Sequence, residues 1–357
     1  MAGVFRFSNA VSDIDKFIST YKSIYNHFRD LPDGEYFDHS DAAIFMAKSG
    51  LASSLGAIGE EALRRSTRDD KSRDPLFNQH KSYSEMFRML GWYEPGSQNT
   101  NFALSEFGEY INDEQGDALN NLVALNTIHI ASPNPLTNVK GNNILRPFPL
   151  ILKLASKLGG LIHRDEIIVA VLACENDKAP NIIENLTDYI NTTRSKGKQG
   201  LVDEIEFLKK RKNIKSKDTL PNYTRFPIAA LKWNNWMQSK WVKGIYGDRA
   251  CLMLEMTPIG EEKSNELSSA IDIRYSDIAK YDEQEIASFV IWSNLYQLEK
   301  IGYDMTDYAE AANKLKGMAR NIFKDFEIDK FNNMLFFGYQ EAPRYILNKG
   351  NEILDKL

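Results

Sequence analysis

The chain has 357 residues and a net charge of −5, with 43% hydrophobic and 26% charged residues. That is the balance of a folded chain with room for two or three domains. No signal peptide or bilayer span is legible, because the densest apolar runs, PFPLILKLA and IIVAVLAC, are too short. Two cysteines, Cys174 and Cys251, make no disulfide framework and flank no second ligand at metal spacing, so a cytoplasmic protein with no membrane partner is expected.

Residues 10 to 66 read as helices separated by a polar loop, LPDGEYFDHSD, with Ser40 or Asp41 as the cap of the helix that follows. A charged loop, STRDDKSRDPLFNQ, comes next. The segment QHKSYSEMFRMLGWY then places Tyr83, Met86, Phe87 and Leu90 at helical spacing, with Gly91 as the stop. WY and NFAL read as two strands around the tip EPGSQNTN, and Ser105 caps the helix EFGEYINDE. Helix, strand, wing, strand and helix is the closing order of a winged helix, whose helix before the hairpin usually enters the major groove.

The pattern recurs. LEMTPIGEEKSNEL repeats the strand, Thr or Ser, Gly and helix of NFALSEFGEYI, and each copy is preceded by a tryptophan, Trp92 or Trp241. FPIAALKWNNWMQSK reads as the second presumed reading helix, followed by strand, Tyr-Gly-Asp-Arg turn, strand and a Thr-capped helix. Its opening lies upstream in NILRPFPLILKLASKLGGLIHRDEIIVAVLA, as a helix, a Gly-Gly break, a short strand and an Asp-capped helix. Residues 176–225 are then an insertion. The chain past about residue 270 reads as an all-helical tail.

The expected fold is therefore mainly α with small β-hairpin wings. It consists of tandem winged-helix domains (1–141, and 142–270 with its insertion) and a helical C-terminal domain (271–357).

Charge is unevenly distributed. Residues 194–225 hold ten Lys/Arg against four acids, and residues 64–88 hold seven against four. Such clusters offer local basic surface to phosphates even in an acidic chain. In the first module Gln79, Lys81, Ser84, Glu85 and Arg88 are the polar positions in or beside the reading helix. Arg64, Arg65, Arg68, Lys71 and Arg73 are placed to reach phosphates, which position a protein without specifying sequence. In the second module Lys232, Asn234, Asn235 and Gln238 are the candidate readers, since Arg, Lys, Asn and Gln match the donor and acceptor edges of the major groove. Lys240, Lys243 and Arg249 are the candidates for its backbone contacts, with Lys209, Lys210, Arg211 and Lys212 from the basic insertion.

No active site is legible. The restriction-nuclease arrangement, an acid followed by Asp/Glu-x-Lys on a buried strand that holds Mg²⁺, finds only Asp69-Asp70-Lys71 and Glu261-Glu262-Lys263. The first lies in the charged loop and the second just inside a helix. Looser sets, Asp272-Ile-Arg274 or Asp325, Glu327 and Lys330, stay open. There is no phosphate-binding Gly-rich loop, no His/Cys metal array and no nucleophile elbow.

RPFPLILKLASKLGGLIHRDEI (146–167) resembles the start of winged-helix recognition domains in type IIS restriction endonucleases of the AlwI and FokI kind and their nicking relatives. The resemblance covers roughly residues 80 to 270 and rests on pattern rather than on an invariant motif. It implies an N-terminal set of winged helices that reads an asymmetric site and a separate C-terminal Mg²⁺-dependent nuclease domain. The helical tail departs from the second point, so the family's catalytic residues have no positions here.

The leading expectation is sequence-specific binding of double-stranded DNA, as the recognition subunit or domain of a restriction or nicking endonuclease. That chain needs no cofactor of its own. Mg²⁺ enters only with a nuclease site present here or supplied by a separate nuclease subunit. The alternatives are a complete Mg²⁺-dependent endonuclease with a cryptic site and a winged-helix transcriptional regulator. Two unlike modules favour a monomer on an asymmetric site, whereas regulators usually dimerise on palindromes.

Overall fold

A computed structural model describes residues 3–8, 11–32, 35–66, 74–94, 101–134, 137 and 143–357. The chain is mainly helical with three small sheets, as the composition and periodicity led us to expect.

The first region opens with α1 (Ile14–Phe28), capped by Asp13, whose carboxylate accepts from the Lys16 amide. Its stripe Phe17, Ile18, Tyr21, Ile24 and Tyr25 is buried. β1 (Phe37–Asp38) leads into α2 (His39–Lys48), where Asp38 and Asp41 form a capping box. The cap is therefore Asp38, reinforced by Asp41, rather than Ser40. Next come α3 (Gly59–Arg65) and α4 (Pro75–Met89), the latter capped by Asp74 with Pro75 in its first turn. Tyr83, Met86, Phe87 and Leu90 are buried as their spacing requires, and Gly91 stops the helix at φ 76°.

β2 (Asn101–Phe102) precedes α5 (Glu106–Asp113) and α6 (Gly116–His129). The expected WY–NFAL hairpin is only partly formed. β2 pairs antiparallel with β1, Phe37 opposite Phe102, while the Trp92–Glu94 side contributes a single bridge between Tyr93 and Leu104. Burial explains the choice, because Phe37 stacks on Phe28 at 4.2 Å and meets Tyr93 edge-on at 5.6 Å. The stretch read as a polar loop thus hides a strand.

The second region begins with α7 (Pro147–Lys157) and β3 (Leu161–His163). A short α8 (Arg164–Glu166) continues as a π-helical turn, Ile167–Leu172. The cap of α8 is His163, whose Nδ1 accepts from the Asp165 amide, and not Asp165. The insertion forms α9 (Ile182–Ser195), α10 (Gly197–Lys212) and α11 (Thr219–Tyr223). α12 (Arg225–Trp233) follows, then β4 (Met237–Val242), β5 (Cys251–Met256) and α13 (Pro258–Ser268).

The expected helix through Lys240 is shorter than its sequence pattern suggested. It ends at Trp233, because Asn235 takes a left-handed φ of 54° and the chain turns into β4. The sheet order is β3–β5–β4, all antiparallel, with Met237, Leu254, Met256 and Ile162 on its buried face. Leaving out the insertion, these elements run helix, strand, helix, helix, strand, turn, strand and helix in chain order.

The tail comprises α14 (Tyr275–Ile278), α15 (Glu283–Lys300), α16 (Ala309–Met318), α17 (Arg320–Asp325), α18 (Gly338–Glu341) and α19 (Arg344–Leu354). It is not wholly helical, since β6 (Ile271–Asp272) pairs in parallel with β7 (Met334–Leu335). One hydrophobic core runs through all these regions.

Arg146 ties them together. Its side chain is fully buried and donates to Asp272 Oδ1 (2.8 Å) and to the carbonyls of His129, Ile273 and Leu335, and it pairs with Glu341 at 2.5 Å. No helix among the described residues is long and apolar enough to cross a membrane.

Candidate nucleic-acid interface

The two modules share a hinge built by one residue each. Ser105 Oγ accepts from the Gly108 amide at 2.9 Å and donates to the Gly91 carbonyl at 2.7 Å. Thr257 Oγ1 accepts from Gly260 at 3.1 Å and donates to Asn235 at 2.5 Å. The amides of Ser105 and Thr257 donate to the carbonyls of Trp92 and Trp236. Gly91 and Asn235 both take positive φ. The tryptophan matching Trp92 is therefore Trp236, which is buried, and not Trp241, which is 69% exposed on β4. A Cβ on Gly108 or Gly260 would overlap the carbonyl oxygen of Trp92 or Trp236, which accounts for the glycine in both copies.

The helices that these hinges position expose only part of the set that the sequence suggested. On α4, Gln79 is engaged by Ser53, donating to its carbonyl at 2.7 Å and accepting from its amide at 3.3 Å. Ser84 is buried and donates to the Lys81 carbonyl. Arg88 is buried with its guanidinium 4.5 Å over the Phe102 ring. Gln79, Ser84 and Arg88 thus help to hold the first module together rather than standing on open surface. The open side of α4 carries Lys81 and Glu85, both among the sequence candidates, together with Asn78 and Ser82. These line a cleft of about 410 Å³, shared with Arg6 and Tyr223.

Arg64 and Arg65 both bond to Glu61, at 2.8 and 2.6 Å, and these two hydrogen bonds hold its carboxyl down at about 2. Arg68, Lys71 and Arg73 lie outside the described residues, as do Asp69 and Asp70.

In the second module α12 is mostly covered. Phe226 packs against Phe7, Phe17 and Phe148, and Trp233 donates to Asp15 at 2.9 Å. Lys232 is exposed at its end, and Asn235 is exposed just past it. Asn234 is the C-cap, with a buried amide nitrogen that has no partner among the described residues. Gln238 and Lys240 sit on β4 rather than on the helix, and both bind Glu255. Lys243 and Arg249 are exposed in the turn between β4 and β5 and make no ion pair among the described residues. Beside them on the strands, Trp241 lies opposite Leu252, 47% exposed.

The insertion joins this turn. Glu166 is fully buried and accepts from Arg194 of α9 at 2.7 and 2.9 Å and from the Tyr246 hydroxyl of the turn. Burial and the Glu166 carboxylate push the Tyr246 hydroxyl far above its ordinary range. This anchor brings the start of α10 beside the turn, where a Cβ on Gly197 would lie 3.9 Å from the Tyr246 carbonyl oxygen, and Lys198 follows directly. Lys198, exposed, is a further candidate that the sequence pattern grouped with the basic run without assigning it a place. Of that run, Lys209 pairs with Glu206, and Arg211 and Lys212 pair with Glu175, whereas Lys210 is exposed without an ion pair among the described residues.

The looser nuclease sets are occupied by ion pairs and hydrogen bonds. Asp272 is held by Arg146 and Arg274, which outweigh burial and keep its carboxyl well below the usual range. Asp325 accepts from Tyr281 at 2.7 Å and Glu327 pairs with Lys330, while Lys263 of the strict match Glu261-Glu262-Lys263 pairs with Glu266. Among the described residues no three His, Cys, Asp or Glu side chains are grouped to hold a metal ion.

No family model matches the chain, and no curated protein matches it. Among solved structures it is similar to that of restriction endonuclease FokI, at 10% identity and a TM-score of 0.37, over 100% of this chain and 68% of that one.

Proposed function

We propose that the chain binds double-stranded DNA sequence-specifically, as the recognition part of a type II, IIS-like restriction or nicking endonuclease whose nuclease is supplied by a separate domain or subunit. The observation that carries this reading is the cationic turn of the second module. Lys243 and Arg249 are exposed there without ion pairs among the described residues, with Lys198 brought alongside by the Glu166 anchor. Exposed cations on a short hairpin are placed to meet phosphates.

The two modules differ in which face they leave open, and this supports one chain on an asymmetric site. Selection of bound duplexes from a random pool tests the reading, and a single enriched asymmetric sequence is expected. An enriched palindrome would point instead to a dimeric regulator. The absence of any enriched sequence would contradict site-specific recognition.

A further inference from the structure

We propose that the open face of α4 reads a base edge, with Glu85 accepting a hydrogen bond from the exocyclic amino group of a cytosine or adenine in the cleft that Arg6 flanks. This inference rests on the duplex-binding reading and names the base chemistry that its first module recognises.

Asn78, Lys81, Ser82 and Glu85 lie at i, i+3, i+4 and i+7, so they form one stripe of α4. The stripe faces the cleft, which on its other side meets Arg6 of the N-terminal segment and Tyr223 of α11. That segment is fixed to the second module. The Phe5 amide donates to the Leu172 carbonyl at 2.8 Å, and Phe7 packs on Phe148 and Phe226. The cleft therefore lies where the two modules meet, and α12, nine residues or about 13 Å long, runs from Tyr223 towards the cationic hairpin.

Glu85 is the unusual member. Its Oε1 is buried and accepts no hydrogen bond among the described residues. An oxygen left so is costly unless a donor arrives. Burial raises its pKa, and the nearby charges of Arg88, Arg6 and Lys81 oppose that rise. Those cations draw a polyanion to the cleft, yet a carboxylate among them repels any phosphate at its own position. The donors that a duplex offers in its major groove are the amino groups of cytosine N4 and adenine N6. A carboxylate meets either one, and phosphate contacts are left to Lys81 and Arg6, which line the same cleft.

The test uses the full chain and the duplex selected from the random pool. Glu85→Ala is expected to relax base preference at one position by roughly fivefold to 100-fold while leaving the salt dependence of binding unchanged. Replacing the base at that position by an analogue without the amino group, 2-pyrimidinone for cytosine or purine for adenine, should weaken the wild type by the same factor and leave Glu85→Ala unaffected. The analogue that acts identifies which base is read. Glu85→Gln keeps the shape of the side chain and should shift the preference towards adenine, so a folding defect in the alanine variant does not protect the inference.

Unchanged preference at every position in both variants, with the wild type still binding its site, overturns the base-reading role alone. A wild type that selects no duplex at all removes the duplex-binding reading and this inference together.

Discussion

Thr257 Oγ1 both caps α13, by accepting from Gly260, and locks the turn after α12, by donating to the carbonyl of Asn235 at 2.5 Å. One hydroxyl thus fixes the angle between the end of a helix, the strand that follows and the next helix. Thr257→Val keeps the branched shape and removes both bonds. It should cost about 1–2 kcal/mol in urea unfolding and speed amide exchange in β4 and β5, whereas Thr257→Ser should restore both. Valine with unchanged exchange would show that the hydroxyl does not set the hinge.

The same comparison of modules identifies Trp236, not Trp241, as the partner of Trp92. Trp236→Ala should cost about 3–5 kcal/mol, as for a buried aromatic. Trp241→Ala should stay within about 0.5 kcal/mol of the parent and remove most of the tryptophan emission that acrylamide quenches. Equal costs at the two positions would contradict the assignment.

Arg146 holds Asp272, Glu341 and three carbonyls from segments far apart in sequence. Arg146→Met removes the fork and leaves buried carboxylates short of a partner, and a loss of about 3–5 kcal/mol follows. Arg146→Lys carries the charge without the planar geometry and should recover only part of it. Thermal unfolding of the two variants checks the order. A lysine variant as stable as the parent would mean that charge alone matters.

Glu341 gives this cluster a pH dependence. Its carboxyl is fully buried and raised to about 7 by that burial, against the opposing pull of Arg146 and Arg274. The folded state therefore holds the proton more tightly than the unfolded chain. The stabilisation is complete below the unfolded pKa, about 4.3, and is lost as pH rises through 7. Glu341→Gln cannot ionise. Its Tm relative to the wild type should rise between pH 5 and pH 8, by the equivalent of up to about 3 kcal/mol. Parallel Tm profiles for the two proteins would contradict a proton held at Glu341.

Much of the second module was legible because its signals are local. The Gly-Gly break, the hairpin turn and the Thr-x-x-Gly cap each act within a few residues, and β3, β5 and α13 fall where they point. What was not legible depends on partners distant in sequence. β1 becomes a strand through Phe28, Tyr93 and Phe102, and the open stripe of α4 is decided by Ser53 and Phe102 engaging Gln79 and Arg88 from outside the helix. The end of α12 at Trp233 hangs on the left-handed Asn235, which an unbroken helical pattern through Lys240 concealed. Likewise, the basic run 209–212 could not be divided into paired and open cations until Glu175 and Glu206 were placed.

The most direct test of the duplex-binding claim is the salt dependence of affinity for the selected duplex. Duplex binding through phosphate contacts predicts that log K falls linearly with log salt, with a slope of about −0.9 for each phosphate contacted. It also predicts that Lys243→Ala, Arg249→Ala and Lys198→Ala each reduce that slope by about one contact without lowering Tm. Affinity for every duplex weaker than about 10⁻⁴ M at low salt, or a slope near zero that none of the three substitutions changes, would contradict it.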